Sequence, residues 1–218
     1  MKALILVNPN TSRPTTDAML RIARNEGGDT PIKGLTAPFG APLITHETAL
    51  EEAARAVTSL APLLGESAGV IIAAFGDPGL PLLRKLVSVP ITGIAEAGMA
   101  EAAAGGRRFA VVTTTPDLVA AIARTAASYG HARHFAGTWL TPGDPGDVMA
   151  DPSRLLDALG VACRSAIRDG AEAVLIGGGP LAVAARGLAG SLDVALVEPV
   201  PAAVRLAIQR APHATETK

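Results

Sequence analysis

Two polar loops and two glycine turns hold most of the groups with which this chain could grip and transform a small molecule. Asn8-Pro9-Asn10-Thr11-Ser12 follows the apolar run Ala3 to Val7 and opens a helical pattern. Side chains and free amides at such a helix start could hold a carboxylate or an imide oxygen, with Asn8, Asn10 and Thr11 as the contacts. The same residues could equally serve as helix caps and nothing more. Thr113-Thr114-Thr115 follows the apolar run from Phe109 in the same way. The hydroxyls of Thr113 and Thr114 could bind the other end of a substrate, or only finish a strand and cap a helix.

The glycine turns are Phe75-Gly76-Asp77-Pro78-Gly79 and Gly177-Gly178-Gly179-Pro180, each placed after a run of buried-strand composition. Glycine lets a ligand approach the backbone closely, and two facing sets of amides could stabilise the oxyanion of an enolate-type intermediate. Ordinary tight turns would look the same. Asp77, His46 and Glu96 are the ionisable residues expected nearest the strand ends. His46 has the better intrinsic pKa for carrying protons. Asp77 could act as a base or cap a helix, where its pKa would fall. Glu96 could cap a helix or bridge the two halves. No His, Asp, Glu or Cys spacing matches a metal site, and neither a Walker loop nor a Gly-x-Gly-x-x-Gly turn follows a strand, so no metal and no cofactor is expected.

The elements that must position these groups follow from periodicity. Apolar runs at Ala3 to Val7, Val70 to Phe75, Phe109 to Thr115 and Ala173 to Ile176 read as fully buried parallel strands, with shorter strands at Ile32 to Thr36, Pro90 to Ile94, His134 to Thr138 and Val194 to Val197. Helical patterns fill the intervals, and Thr48-x-x-Glu51 matches a capping box. The order of elements starts again roughly a hundred residues along, at Phe109. The fold class is therefore α/β: two similar lobes with parallel four-stranded sheets, a pseudo-twofold duplication and a ligand cleft between the lobes. Residues 1–95 form the first lobe and 96–198 the second, with a C-terminal helix over 199–211 returning to the first and a disordered tail over 212–218.

Composition bounds the partners. With 218 residues, 49% hydrophobic, and a net charge of −1, the chain has no basic face for nucleic acid and no polybasic membrane anchor. The first apolar run meets Asn8-Pro9 too soon for a signal segment or a span, so a cytoplasmic protein binding a small molecule is expected. The single cysteine, Cys163, lies in an apolar-periodic helix and reads as a buried structural thiol.

Five blocks, Val7-Asn-Pro-Asn-Thr-Ser12, Phe75-Gly-Asp-Pro-Gly-Leu80, Ile91-Thr-Gly-Ile-Ala-Glu-Ala-Gly-Met99, Phe109-Ala-Val-Val-Thr-Thr114 and Asp169-Gly-Ala-Glu-Ala-Val-Leu-Ile-Gly177, resemble the hydantoin racemase branch of the aspartate/glutamate racemase superfamily, in the family's order and over nearly the whole chain. The resemblance implies a cofactor-independent enzyme in which a cysteine from each lobe flanks the substrate's acidic carbon. It also implies assembly from identical subunits. The family's cysteine positions fall on Ala74 and Gly178, so neither thiol is present here. Ala74, Phe75, Gly76, Gly178, Gly179 and Pro180 are then expected to contact substrate, with His46 and Asp77 as the catalytic candidates. Three readings stay open: lyase, decarboxylase or isomerase chemistry through an enolate, as related arylmalonate decarboxylases suggest; racemisation of a hydantoin or amino acid by non-cysteine bases; and a non-catalytic small-molecule binder.

Overall fold

The computed structural model describes residues 2–211; the tail expected over 212–218 lies outside them. The first half runs β1 (Leu4–Asn8), α1 (Arg13–Gly27), β2 (Ile32–Thr36), α2 (Glu47–Ser59), β3 (Gly69–Ile72), α3 (Leu80–Leu86) and β4 (Ile91–Gly93). Then α4 (Ile94–Ala102) leads into β5 (Phe109–Thr113), α5 (Val119–Ser128), β6 (Phe135–Leu140), α6 (Pro145–Ala150), α7 (Pro152–Arg168), β7 (Ala173–Ile176), α8 (Ala182–Gly187), β8 (Ala195–Val197) and α9 (Pro199–Arg210).

Each half folds into a four-stranded sheet, in the orders β2-β1-β3-β4 and β6-β5-β7-β8. Every pairing is parallel. Strands β3 and β7 carry no polar side chain because helices cover both of their faces: they are buried at every residue. Register is what brings the loops together. Val7 pairs with Ile72 and Val112 with Ile176, so the polar loop after β1 emerges beside the Ala74 turn and the threonines after β5 beside the Gly178 turn.

The halves share one core. Leu4, Leu6 and Ile71 from the first sheet and Val111 and Leu175 from the second belong to the same buried cluster, which α4 and α9 complete. Helix α4 touches β7 and β8, and α9 packs on α1, α4, β3 and β4. At Gly98 of α4 a Cβ would lie 2.7 Å from Leu175 Cδ1, so the missing side chain is what lets this helix lie on the second sheet. Ion pairs pin α9: Arg205 bridges Glu26 and Glu101, and Arg210 binds Glu96 at 2.9 Å. No described helix is long and apolar enough to cross a membrane.

The local expectations differ from the structure mainly at caps. Helix α2 is capped by His46, whose Nδ1 accepts from the Ala49 N–H at 3.2 Å, and not by a Thr48 box. Helix α4 starts at Ile94, which the apolar pattern places in the preceding strand, because the distant Asp77 carboxylate caps it. The Asp144-capped α6 and the short α8 escape periodicity because each is only six residues long.

Candidate functional site

Between the carboxyl ends of the two sheets lies a cavity of about 180 Å³. Ala73, Ala74 and Phe75 form one wall and Gly177 to Leu181 the opposite one; Asn10, Thr113, Thr114, Thr115 and Leu118 line it from the strand-end loops, and Leu43 to Thr45 with Pro145, Gly146 and Met149 close it.

The polar loop after β1 is a closed network around Asn8, which is fully buried and does not line the cavity. The Asn10 N–H donates to Asn8 Oδ1 at 3.2 Å, which fixes the Asn8 amide so that its nitrogen faces Asn10 Oδ1 at 2.7 Å, Thr16 Oγ1 and the Ser12 carbonyl. The backbone N–H of Ser12 also donates to Asn10 Oδ1, at 2.9 Å. Because a backbone N–H can only donate, the Asn10 oxygen is the acceptor, and its NH₂ group is what the side chain offers to the cavity. Asn10, 4% exposed, is thus a buried donor. Asn8 is its support rather than a second contact, and Thr11 also lies outside the lining, its N–H bonded to the Ala41 carbonyl.

In the second lobe Thr113 Oγ1 donates to the Gly177 carbonyl at 2.9 Å and meets Thr115 Oγ1 at 2.9 Å. A hydroxyl has one proton, so Thr115 is the donor of that pair. Thr113 ties the end of β5 to the Gly178 turn, and the hydroxyl of Thr114, a residue 5% exposed, is the one left to meet a ligand. Among the described residues, the N–H groups of Ala74, Phe75, Gly178 and Gly179 make no backbone hydrogen bond, so both walls can present amides to an oxyanion. Gly179 permits the approach of the lobes, since a Cβ there would lie 2.5 Å from Met19 Sδ and 3.0 Å from the Ala73 carbonyl.

The two proton carriers expected from sequence are not in the lining. His46 is exposed at the start of α2, with Nδ1 engaged as a cap. Asp77 is 3% exposed and turned away from the cavity. It caps α4 in place of Gly93, which has no side chain: Oδ1 accepts from Ala95 N–H at 2.9 Å, and Oδ2 from Glu96 N–H at 2.7 Å and from Tyr129 Oη at 2.7 Å. A Cβ on Gly93 would collide with this carboxyl. Burial pushes Asp77 up to about 7, against the three donors that favour the carboxylate. Glu96 also caps, accepting from Gly93 N–H; burial alone would raise its pKa, but Arg210 and Arg84 hold it below the usual range. Gly76 lies beside the wall but outside it. Cys163 is buried in α7, and burial pushes its thiol up to about 11. Sequence reasoning missed Leu118 and Met149; isolated apolar residues carry no chemical signature, and only the fold gathers them.

The lining therefore holds Asn10, Thr45 and the three threonines as its polar side chains and no ionisable one. It can bind carbonyl or carboxylate oxygens through neutral donors and enclose an apolar substituent. Among the described residues no three His, Cys, Asp or Glu side chains gather as metal ligands.

Known proteins resemble this chain in sequence and in architecture. A hydantoin racemase of Pseudomonas sp. (strain NS671) is 30% identical over 208 residues, covering 93% of this chain and 83% of that protein. The structure of allantoin racemase from Klebsiella pneumoniae superposes with a TM-score of 0.88 at 31% identity, covering 96% of this chain and 87% of that one. Arylmalonate decarboxylase, at 18% identity and a TM-score of 0.65 over 99% of this chain and 95% of that one, shares the fold. The family model described as Asp/Glu/Hydantoin racemase matches residues 4–207, and this chain belongs to that family.

Proposed function

We propose that this chain is a family enzyme that acts on a small hydantoin-like or carboxylate compound bearing an apolar substituent, through an enolate-type intermediate, without two-thiol racemisation. One observation carries the reading: the cavity joins two donor-bearing turns yet has no ionisable side chain. Asn10, Thr114 and the wall amides suit a developing enolate oxygen, while Leu43, Ile44, Leu118 and Met149 suit an apolar substituent. An uncompensated carboxylate is costly to bury, so a neutral cyclic amide fits this lining better than a dicarboxylate. General acid and base groups each contribute factors of about 10² to 10⁴. With Ala74 and Gly178 at the family's cysteine positions, proton transfer falls to solvent or to the substrate, which favours lyase or isomerase chemistry over stereoinversion.

The same absence of ionisable groups favours a second reading, a binder without turnover. Incubating 5-substituted hydantoins, allantoin and arylmalonates with the protein in deuterated water, followed by NMR, separates the readings. A new product supports enolate-forming lyase or isomerase chemistry, whereas saturable binding with neither exchange nor product supports the binder. Rapid exchange with loss of optical rotation in the unmodified protein overturns the exclusion of racemisation.

A further inference from the structure

We propose that Tyr129 is a positioning residue that sets the spacing of the cavity walls by bolting the end of α5 to the turn that carries Ala74. The proposal rests on the reading that the cavity between the lobes is the working site.

Asp77 lies three residues after Ala74, and its N–H closes the turn on the Ala74 carbonyl at 3.1 Å. Its φ of 49° makes it the one non-glycine left-handed residue among those described. That conformation is sparsely populated and persists where surroundings over-determine it. Two of the three donors on its carboxylate come from α4. The third, Tyr129 Oη, comes from the second lobe, out of the residue that caps α5. The other end of α5 follows Leu118, which lines the cavity, so the helix spans about 16 Å from cavity to bolt. One hydroxyl thus ties the turn behind the Ala74 wall to the helix behind the Leu118 wall. Neither Asp77 nor Tyr129 lines the cavity, so both act on a ligand only through what they hold.

The groups facing the bolt are few. Glu96 approaches from α4 and lies near both acids, and it is itself neutralised by Arg84 of α3 and Arg210 of α9. Burial and the neighbouring Asp77 push the Tyr129 hydroxyl well above its ordinary pKa, so it remains a donor at every working pH. The Asp77 carboxyl, pushed up by burial to about 7, is the group that titrates. Once protonated, the carboxyl carries an O–H that faces three donors, and its oxygens accept those bonds more weakly. Affinity for a cavity ligand should then decline as pH falls through about 7.

The test is Tyr129→Phe, which deletes only the hydroxyl, with Asp77→Asn as a second variant should the first fold poorly. In the unliganded protein, ¹⁵N–¹H spectra should show shifted amides at Ala74, Phe75, Thr114 and Leu118. Shifts confined to Asp77, the start of α4 and residues 125–131 would overturn the proposal. With 5-methylhydantoin as probe, Tyr129→Phe should bind roughly tenfold more weakly. The midpoint of the pH dependence should move upward, because a donor favouring the carboxylate is gone; unchanged affinity with an unmoved midpoint overturns the proposal. If the unmodified protein binds neither this probe nor an arylmalonate, the reading of the cavity fails, and the amide shifts still decide the role of Tyr129.

Discussion

The two glycine turns that face each other across the cavity occupy equivalent places in the two lobes and are held by different physics. The turn after β3 is polar at its root: Asp77 is left-handed, closes on Ala74 and takes three donors. The turn after β7 has no such node. Its carbonyl at Gly177 takes the Thr113 hydroxyl, and two of its glycines are fixed by lack of room, against Val111 at Gly177 and against Met19 and Ala73 at Gly179. One wall is therefore positioned by hydrogen bonds that titrate and the other by close packing that does not. A duplicated scaffold can thus keep its geometry while its halves respond differently to pH and to added side-chain volume.

Breaking the polar node should cost most. Asp77→Ala strands the Ala95 and Glu96 amides and the Tyr129 hydroxyl, and puts a residue poorly suited to positive φ at that position. The expected loss is about 4 kcal/mol, read as a fall in the urea midpoint at unchanged m-value. The steric wall should yield less. Gly179→Ala drives a methyl into Met19 Sδ, which can move, and toward the Ala73 carbonyl, which is backbone and moves only with its strand. Overpacking of this kind costs about 2 kcal/mol by the same measurement.

The pH response isolates the node without dismantling it. Asp77 has a folded pKa above its ordinary value, so the native state holds a proton that the unfolded chain has released between about 4 and 7. Its contribution to stability is full below the ordinary carboxylate range and is lost as pH rises toward 7, with a slope of at most about 1.4 kcal/mol per pH unit. Glu96 runs the other way: its depressed pKa adds stability as pH rises into the ordinary carboxylate range, and that gain is constant above it. Asp77→Asn should remove the first slope and leave the second, so stability measured from pH 4 to 8 should fall less with rising pH than in the unmodified protein.

The same contrast shows what could be read from residues alone. Continuous apolar runs announced both parallel sheets; Asn10, Phe75, Thr114, Gly178, Gly179 and Pro180 were legible as cavity residues because they lie at or just after the ends of buried strands, and Ala74 through the family resemblance. The roles of Asn8, Thr113 and Asp77 were not, because each is decided by where a proton or lone pair goes in three dimensions. Asp77 caps a helix whose donating amide, on Ala95, is 18 residues away. That cap also explains why α4 begins earlier than its own sequence indicates. Tyr129 gave no local signal at all, lying 52 residues from its partner.

The smallest expected effect is at Gly178, and it sharpens the comparison most, because this position and Gly179 are neighbours with opposite demands. Gly178 has φ 173°, extended backbone that any residue adopts. The atoms a Cβ there would meet first belong to the Leu181 side chain, with Cγ at 3.1 Å, and a shift of a few tenths of an ångström in that side chain is enough to relieve the contact. Gly178→Ala should therefore cost under about 1 kcal/mol, well below Gly179→Ala, in paired urea titrations. Equal costs at the two positions would mean that the whole turn is sterically locked. A small cost at Gly178 means that the fold leaves this wall open to a side chain, so a glycine there is set by what the cavity must hold and not by the backbone.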